Sequence, residues 1–83
     1  MPQISLETRS DQSAEEIIAL AKNVFHEDYG LDIVEEADCC VRMESGGGFV
    51  TIRTEPQDEH TKVILEGREW SRQLKDFMKQ ISS

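Results

Sequence analysis

Two kinds of apolar spacing divide the chain. Over residues 3–9, apolar or β-branched side chains alternate with polar ones, which predicts a strand with one buried face. Over residues 14–28, apolar side chains recur every three or four positions, which predicts an amphipathic helix. The capping-box pair Ser13 and Glu16 marks its start, and Gly30 is typical of the left-handed residue that ends a helix.

The middle of the chain returns to the two-residue period. Residues 31–36 and 38–44 are predicted to be extended, as two strands or as one bent strand. The glycine-rich segment Ser45–Gly48 predicts a tight turn into a strand over 49–55. Segments 38–44 and 49–55 should therefore form a β-hairpin.

The last two elements are a strand over 61–66, with Gly67 marking its end, and a helix. The apolar stripe of that helix consists of Trp70, Leu74, Phe77, Met78 and Ile81. The predicted element order is β-α-β-β-β-α, or β-α-β-β-β-β-α if residues 31–36 form a strand of their own. We expect an α+β two-layer sandwich, one domain over residues 1–83, with both helices on one face of a mostly antiparallel sheet.

Negative charge is concentrated in one segment of the chain. Between Asp11 and Asp38, nine acidic residues face a single base, Lys22, whereas the other residues carry eight acids and eight bases, so the net charge of −8 arises there. Such a segment repels phosphate backbones and attracts basic proteins or cations, which argues against a nucleic-acid partner. A divalent cation would use carboxylate oxygens, and the weak candidates for its ligands are Glu27, Asp28, Asp32, Glu35 and Glu36.

The sheet face opposite the helices is the second candidate surface. Strand parity places four cations on it, around the apolar side chains of Phe49 and Ile64. This mixture is typical of a docking or homodimer surface, although cross-strand ion pairs on a solvated face have the same composition. The predicted partner-binding residues of the two surfaces are Glu35, Glu36, Asp38, Arg42, Phe49, Arg53 and Ile64.

The two cysteines, Cys39 and Cys40, are adjacent. In a strand their side chains would point to opposite faces, one into the core and one to solvent, and a disulfide between neighbours is strained. We expect a cytoplasmic protein that does not enter a membrane. The two thiols should be reduced, the start at Met1 lacks the basic and apolar regions of a secretory signal, and the sequence has no long apolar run.

These features favour a small protein-binding or regulatory module without a cofactor over an enzyme, because no nucleophile–base set, zinc spacing or dinucleotide motif occurs in the sequence. Two alternatives stay open: a divalent-cation-binding protein using segment 26–38, and a small thiol-dependent enzyme centred on Cys40. The element order resembles that of TATA-binding-protein-like folds, and its last elements resemble double-stranded-RNA-binding domains. Both resemblances concern topology alone and assign no residue a role.

Overall fold

The computed structural model describes residues 3–83, which contain five strands and two helical regions. In chain order these are β1 (Ile4–Ser10), α1 (Ala14–Ala21) with a π-helical continuation (Lys22–Asp28), β2 (Asp32–Ala37), β3 (Cys40–Ser45), β4 (Gly48–Pro56), β5 (Thr61–Arg68) and α2 (Ser71–Ile81). The order β-α-β-β-β-β-α is therefore confirmed, with β2 as a separate strand. Met1 and Pro2, on which part of the signal-sequence argument rests, lie outside the described residues.

All strands pair antiparallel in one sheet of order β1-β5-β4-β3-β2. Strands β2 to β5 form a meander, in which each pairs with the next along the chain, and β1 joins the far side of β5. The alternating patterns of β1, β3, β4 and β5 agree with this arrangement, because each of these strands presents one apolar face to the helices. Strands β1 and β2 are consequently the two edges of the sheet.

Both helical regions cover the same sheet face, as predicted, and share one core with it. The rings of Phe25 and Phe77 meet edge to face with centroids 5.7 Å apart, which joins the two helices. The buried apolar side chains of this core are Ile17, Ile18, Ala21, Phe25, Leu31, Val41, Met43, Val50, Ile52, Val63, Leu65, Leu74, Phe77 and Ile81.

The first helix has the predicted start and extent but changes its winding. Ser13 Oγ accepts the backbone N–H of Glu16, and Glu16 Oε1 accepts that of Ser13, both at 3.1 Å, so the capping box is formed. After Ala21 the backbone becomes π-helical, and Gly30 follows with a φ of +79°. Neither helical region of residues 3–83 has the length and apolar content needed to cross a bilayer.

The prediction that Gly67 ends the last strand is wrong, because β5 continues to Arg68. A Cβ at Gly67 would lie 2.6 Å from Leu74 Cδ1 and 2.7 Å from the carbonyl oxygen of Phe49. Glycine is therefore required by the close approach of α2 to the sheet. The chain leaves β5 at Glu69, which has a φ of 73°.

Candidate protein-binding surface

The edge strand β2 is the most exposed strand of the sheet. Five of its six residues are exposed, and only Ile33 is half-buried. Its inner side pairs with β3, while its outer side has no partner strand within residues 3–83. An outer edge of this kind presents backbone N–H and C=O groups that can pair with another extended chain.

A β-bulge between Ile33 and Glu35 divides the acidic side chains of β2 between two faces. Glu35 pairs with Arg42 on the open face, whereas the next residue, Glu36, pairs with Val41 of the core-facing row. The bulged residue, Val34, is 48% exposed and lies beside Arg42 on the open face. Carboxylates therefore flank the free edge on both sides.

Lys22 offsets part of the charge on the helix side of this edge. Its Nζ forms a salt bridge with Glu36 Oε2, and both side chains remain partly exposed. Asp32, in contrast, lies opposite Glu44 on the open face, so two acids are neighbours there. The predicted residue Asp38 lies in the two-residue turn between β2 and β3.

The open face has the strand parity that the sequence predicts. Arg42 is its central side chain: Nε donates to Glu44 Oε2 at 2.9 Å, and the guanidinium carbon lies 4.2 Å from the centroid of the Phe49 ring. Arg68 approaches the same ring from 5.9 Å. These cation–π contacts shield the apolar ring of Phe49 with two charged groups.

Two open grooves adjoin Arg42. The larger, of about 480 Å³, is lined by residues of β2, β3 and β4 that include Glu35 and Cys40. The smaller, of about 420 Å³, extends from Val34 to Phe49 and the β3–β4 turn. Both grooves are open to solvent along β2, so they suit side chains of a bound segment better than an enclosed small molecule.

The structure brings together part of the predicted partner-binding set. Glu35, Arg42 and Phe49 border the grooves, while Glu36 lies at the rim of the larger one. Arg53 and Ile64 pair with each other in a separate cross-strand row on β4 and β5. The surface thus has an acidic edge at β2 and a cationic centre.

The weak metal-ligand candidates are divided among several elements. Glu27 and Asp28 end the π-helical segment, Asp32 and Glu35 belong to the open face, and Glu36 lies opposite Val41 and is paired with Lys22. Across residues 3–83, no three His, Cys, Asp or Glu side chains are placed to hold a metal ion. His26 instead links the helix end to the start of β2, since its Nδ1–H donates to the carbonyl oxygen of Leu31 at 2.6 Å.

The prediction that Cys39 and Cys40 point to opposite sheet faces is wrong. Cys39 is the second residue of the β2–β3 turn and is exposed, and Cys40 begins β3 and is half-buried. Their Sγ atoms lie 2.8 Å apart. The hydrogen bond with Cys39 and the burial of Cys40 raise the pKa of the Cys40 thiol.

Two residues of this surface, Val34 and Ala37, are not predicted by the periodicity of the sequence. Two doublets carried a usable signal, since Ile33-Val34 and Glu35-Glu36 each place like side chains in succession and break the two-residue alternation. Such a break is what a β-bulge requires.

Comparison with known proteins identifies a similar fold. No protein-family description matches the sequence, and no curated protein matches it either. Among solved structures, CalU16 from Micromonospora echinospora superposes with a TM-score of 0.63 at 15% sequence identity, over 94% of this chain and 74% of CalU16. At this identity the likeness concerns the fold alone, so the function has to be argued from the surface of this chain.

Proposed function

We propose that this protein is a protein-binding module whose edge strand β2 accepts an extended, basic segment of a partner protein. The observation that supports this proposal is an acidic strand whose outer edge pairs with no other strand of residues 3–83, bordered by two open grooves. The partner segment would add to the sheet as a further strand. Backbone hydrogen bonds would supply affinity, and alternate side chains would supply selectivity.

The charges beside β2 define the chemistry of this segment. On the open face a Lys or Arg side chain would meet Glu35 or Asp32, and a small apolar side chain would cover Val34. On the other face a second cation would reach Glu36 in competition with Lys22. A segment that alternates basic and small apolar residues satisfies both faces.

The same charges should speed association. Nine acids against one base between Asp11 and Asp38 give a negative potential that draws in a basic partner. Screening at physiological ionic strength acts over about 8 Å, so the association rate should fall as salt is added. We propose a cytoplasmic location for this activity, because Cys39 and Cys40 are free thiols and a reducing compartment returns such thiols to the reduced form.

Fluorescence polarisation with a labelled peptide of alternating lysine and valine tests the proposal. The double variant Glu35→Gln/Glu36→Gln should weaken binding about 2- to 30-fold, because each exposed ion pair contributes about 0.2–1 kcal/mol. The matched control is Asp58→Asn/Glu59→Gln, an adjacent acidic pair in the turn after β4. Equal weakening by both double variants would show that the peptide senses only overall charge.

A second peptide separates edge pairing from simple charge attraction. N-methylation of every backbone nitrogen keeps every lysine charge but removes all the N–H groups that a strand needs for pairing. We expect this peptide to lose most of the affinity. Unchanged affinity would refute addition of the partner to β2.

Self-association through the open face is the second candidate function. Ile64 is half-buried there between Glu7 of β1 and Arg53 of β4, so its apolar side chain remains accessible. A two-fold interface would bury this patch on both copies, on the order of 800 Å² per partner.

A further inference from the structure

The tip of the β2–β3 hairpin carries both sulfur atoms of the cysteines in one place. Cys39 and Cys40 are the two cysteines of the sequence, and their Sγ atoms lie 2.8 Å apart. A disulfide bond needs about 2.05 Å, so the sulfurs must approach by only about 0.8 Å. Rotation of the exposed Cys39 side chain can supply this movement.

The backbone that carries the thiols is anchored to the sheet. The carbonyl oxygen of Cys39 accepts hydrogen bonds from both the N–H and the hydroxyl of Thr54, each at 2.8 Å. Cys40 pairs with Ala37 on one side and with Arg53 on the other. These contacts fix the position of the turn while the Cys39 side chain remains accessible.

We propose that Cys39 and Cys40 are a redox-active dithiol that a hydroperoxide oxidises to a disulfide between neighbouring residues. The Cys39 thiolate attacks the peroxide, the O–O bond breaks, and Cys39 becomes a sulfenic acid as one water is released. Cys40 then attacks the Cys39 sulfur, the S–O bond breaks, and the leaving hydroxide takes the Cys40 proton to form a second water. Two thiols and one hydrogen peroxide thus give one disulfide and two waters, a transfer of two electrons.

The surroundings of the thiols assign the two roles. Cys39 is exposed and accessible to the peroxide, whereas Cys40 is half-buried and lines the larger groove. The hydrogen bond to Cys39 and burial raise the pKa of the Cys40 thiol, which disfavours Cys40 as the thiolate that attacks the peroxide. Cys39 is therefore the sulfur that is oxidised first, and Cys40 resolves it.

Adjacency makes the oxidised form easy to reverse. Neighbouring Cα atoms lie about 3.8 Å apart across a trans peptide, below the 4.4–6.8 Å that disulfides usually span. The resulting strain favours attack by an external thiol. The pair therefore suits a reversible modification better than a permanent structural cross-link.

Intact-mass measurement after treatment with one equivalent of hydrogen peroxide and alkylation with N-ethylmaleimide tests this proposal. We expect a monomer that is lighter by two hydrogen atoms and carries no maleimide, and an excess of a monothiol should restore two maleimides per chain. In Cys40→Ser, the lone Cys39 should form a dimedone-trapped sulfenic acid several-fold faster than the lone Cys40 does in Cys39→Ser. A disulfide-linked dimer, over-oxidised thiols without the lighter monomer, or two unreacted thiols would overturn the proposal.

Discussion

Replacing Leu74 by alanine tests the packing of α2 on the sheet. Leu74 is fully buried, and its Cδ1 lies directly over Gly67, which has no side chain to move into the space that the change would create. The strand at Gly67 is held between Ile4 and Val50, so its backbone cannot collapse either. Leucine-to-alanine changes in cores cost about 2–5 kcal/mol, and poor collapse places this one at about 3–5 kcal/mol.

This cost is a large share of the total stability. A chain of 83 residues should have an unfolding free energy of about 4–12 kcal/mol. A loss of about 3 kcal/mol lowers the Tm of such a domain by about 12–24 °C, which circular dichroism or urea titration resolves. Met78→Ala, a half-buried site on the same helix, is the matched control and should cost less. A loss under about 1 kcal/mol for Leu74→Ala would refute this account of the core.

A double-mutant cycle isolates the contact itself. Gly67→Ala alone would place a Cβ 2.6 Å from Leu74 Cδ1, so it should be strongly destabilising. Leu74→Ala removes that clash but not the one with the carbonyl oxygen of Phe49, 2.7 Å away. The double variant should therefore lose less free energy than the sum of the two single variants. Strict additivity would contradict the close approach of α2 to β5.

Four further predictions concern the helix cap, the hairpin turn and the open face. Ser13→Ala should cost about 1 kcal/mol in urea titration because the capping box is lost. The hydrogen bonds from Ser13 lower the pKa of Glu16 in the folded state. The stabilisation by Glu16 is therefore present above its unfolded-state pKa and is lost as the pH falls through its folded-state pKa. Curves of unfolding free energy against pH for wild type and Glu16→Gln should converge in acid, and parallel curves would contradict this. Gly48→Ala should lower the unfolding free energy by about 1–3 kcal/mol, since a Cβ would lie 2.7 Å from a carbonyl oxygen of β5, and an unchanged urea midpoint would refute that contact. In sedimentation, Ile64→Lys should dissociate a dimer formed through the open face, whereas a wild type that stays monomeric at high concentration would exclude that dimer.

Periodicity alone predicted most of the fold, because both helical regions and every strand except β2 bury one face. The alternation in Val50, Ile52 and Thr54 and the stripe ending at Ile81 are direct consequences of burial, and the structure confirms both. The π-helical winding after Ala21 was not predictable in this way, since it depends on backbone hydrogen bonds that leave little trace in side-chain type.

The turn between β2 and β3 shows where such reasoning fails. The alternation of the sequence predicts a strand that runs from Val41 back through Cys39, but the structure has a turn at Asp38 and Cys39 that interrupts the register. No glycine stands beside Asp38 to indicate this turn in the sequence. The acidic character of the candidate surface was visible in the composition. The division of its acidic side chains between two faces depends on the bulge at Val34. The position of this bulge is defined only by the pairing of β2 with β3.

The position of β1 beside β5 has a consequence for synthesis on the ribosome. Its paired residues are between 51 (Ser10 and Thr61) and 63 (Ile4 and Gly67) positions apart, so β1 pairs with a strand that is synthesised much later. At about 5–20 residues per second, β1 waits about 3–12 s for its partner, while the meander from β2 onward forms from neighbouring hairpins. During that interval the apolar side chains of Ile4 and Leu6 lack the strand that flanks them in the finished sheet. The nascent strand β1 is thus open to mispairing and to chaperones until β5 has been synthesised and pairs with it.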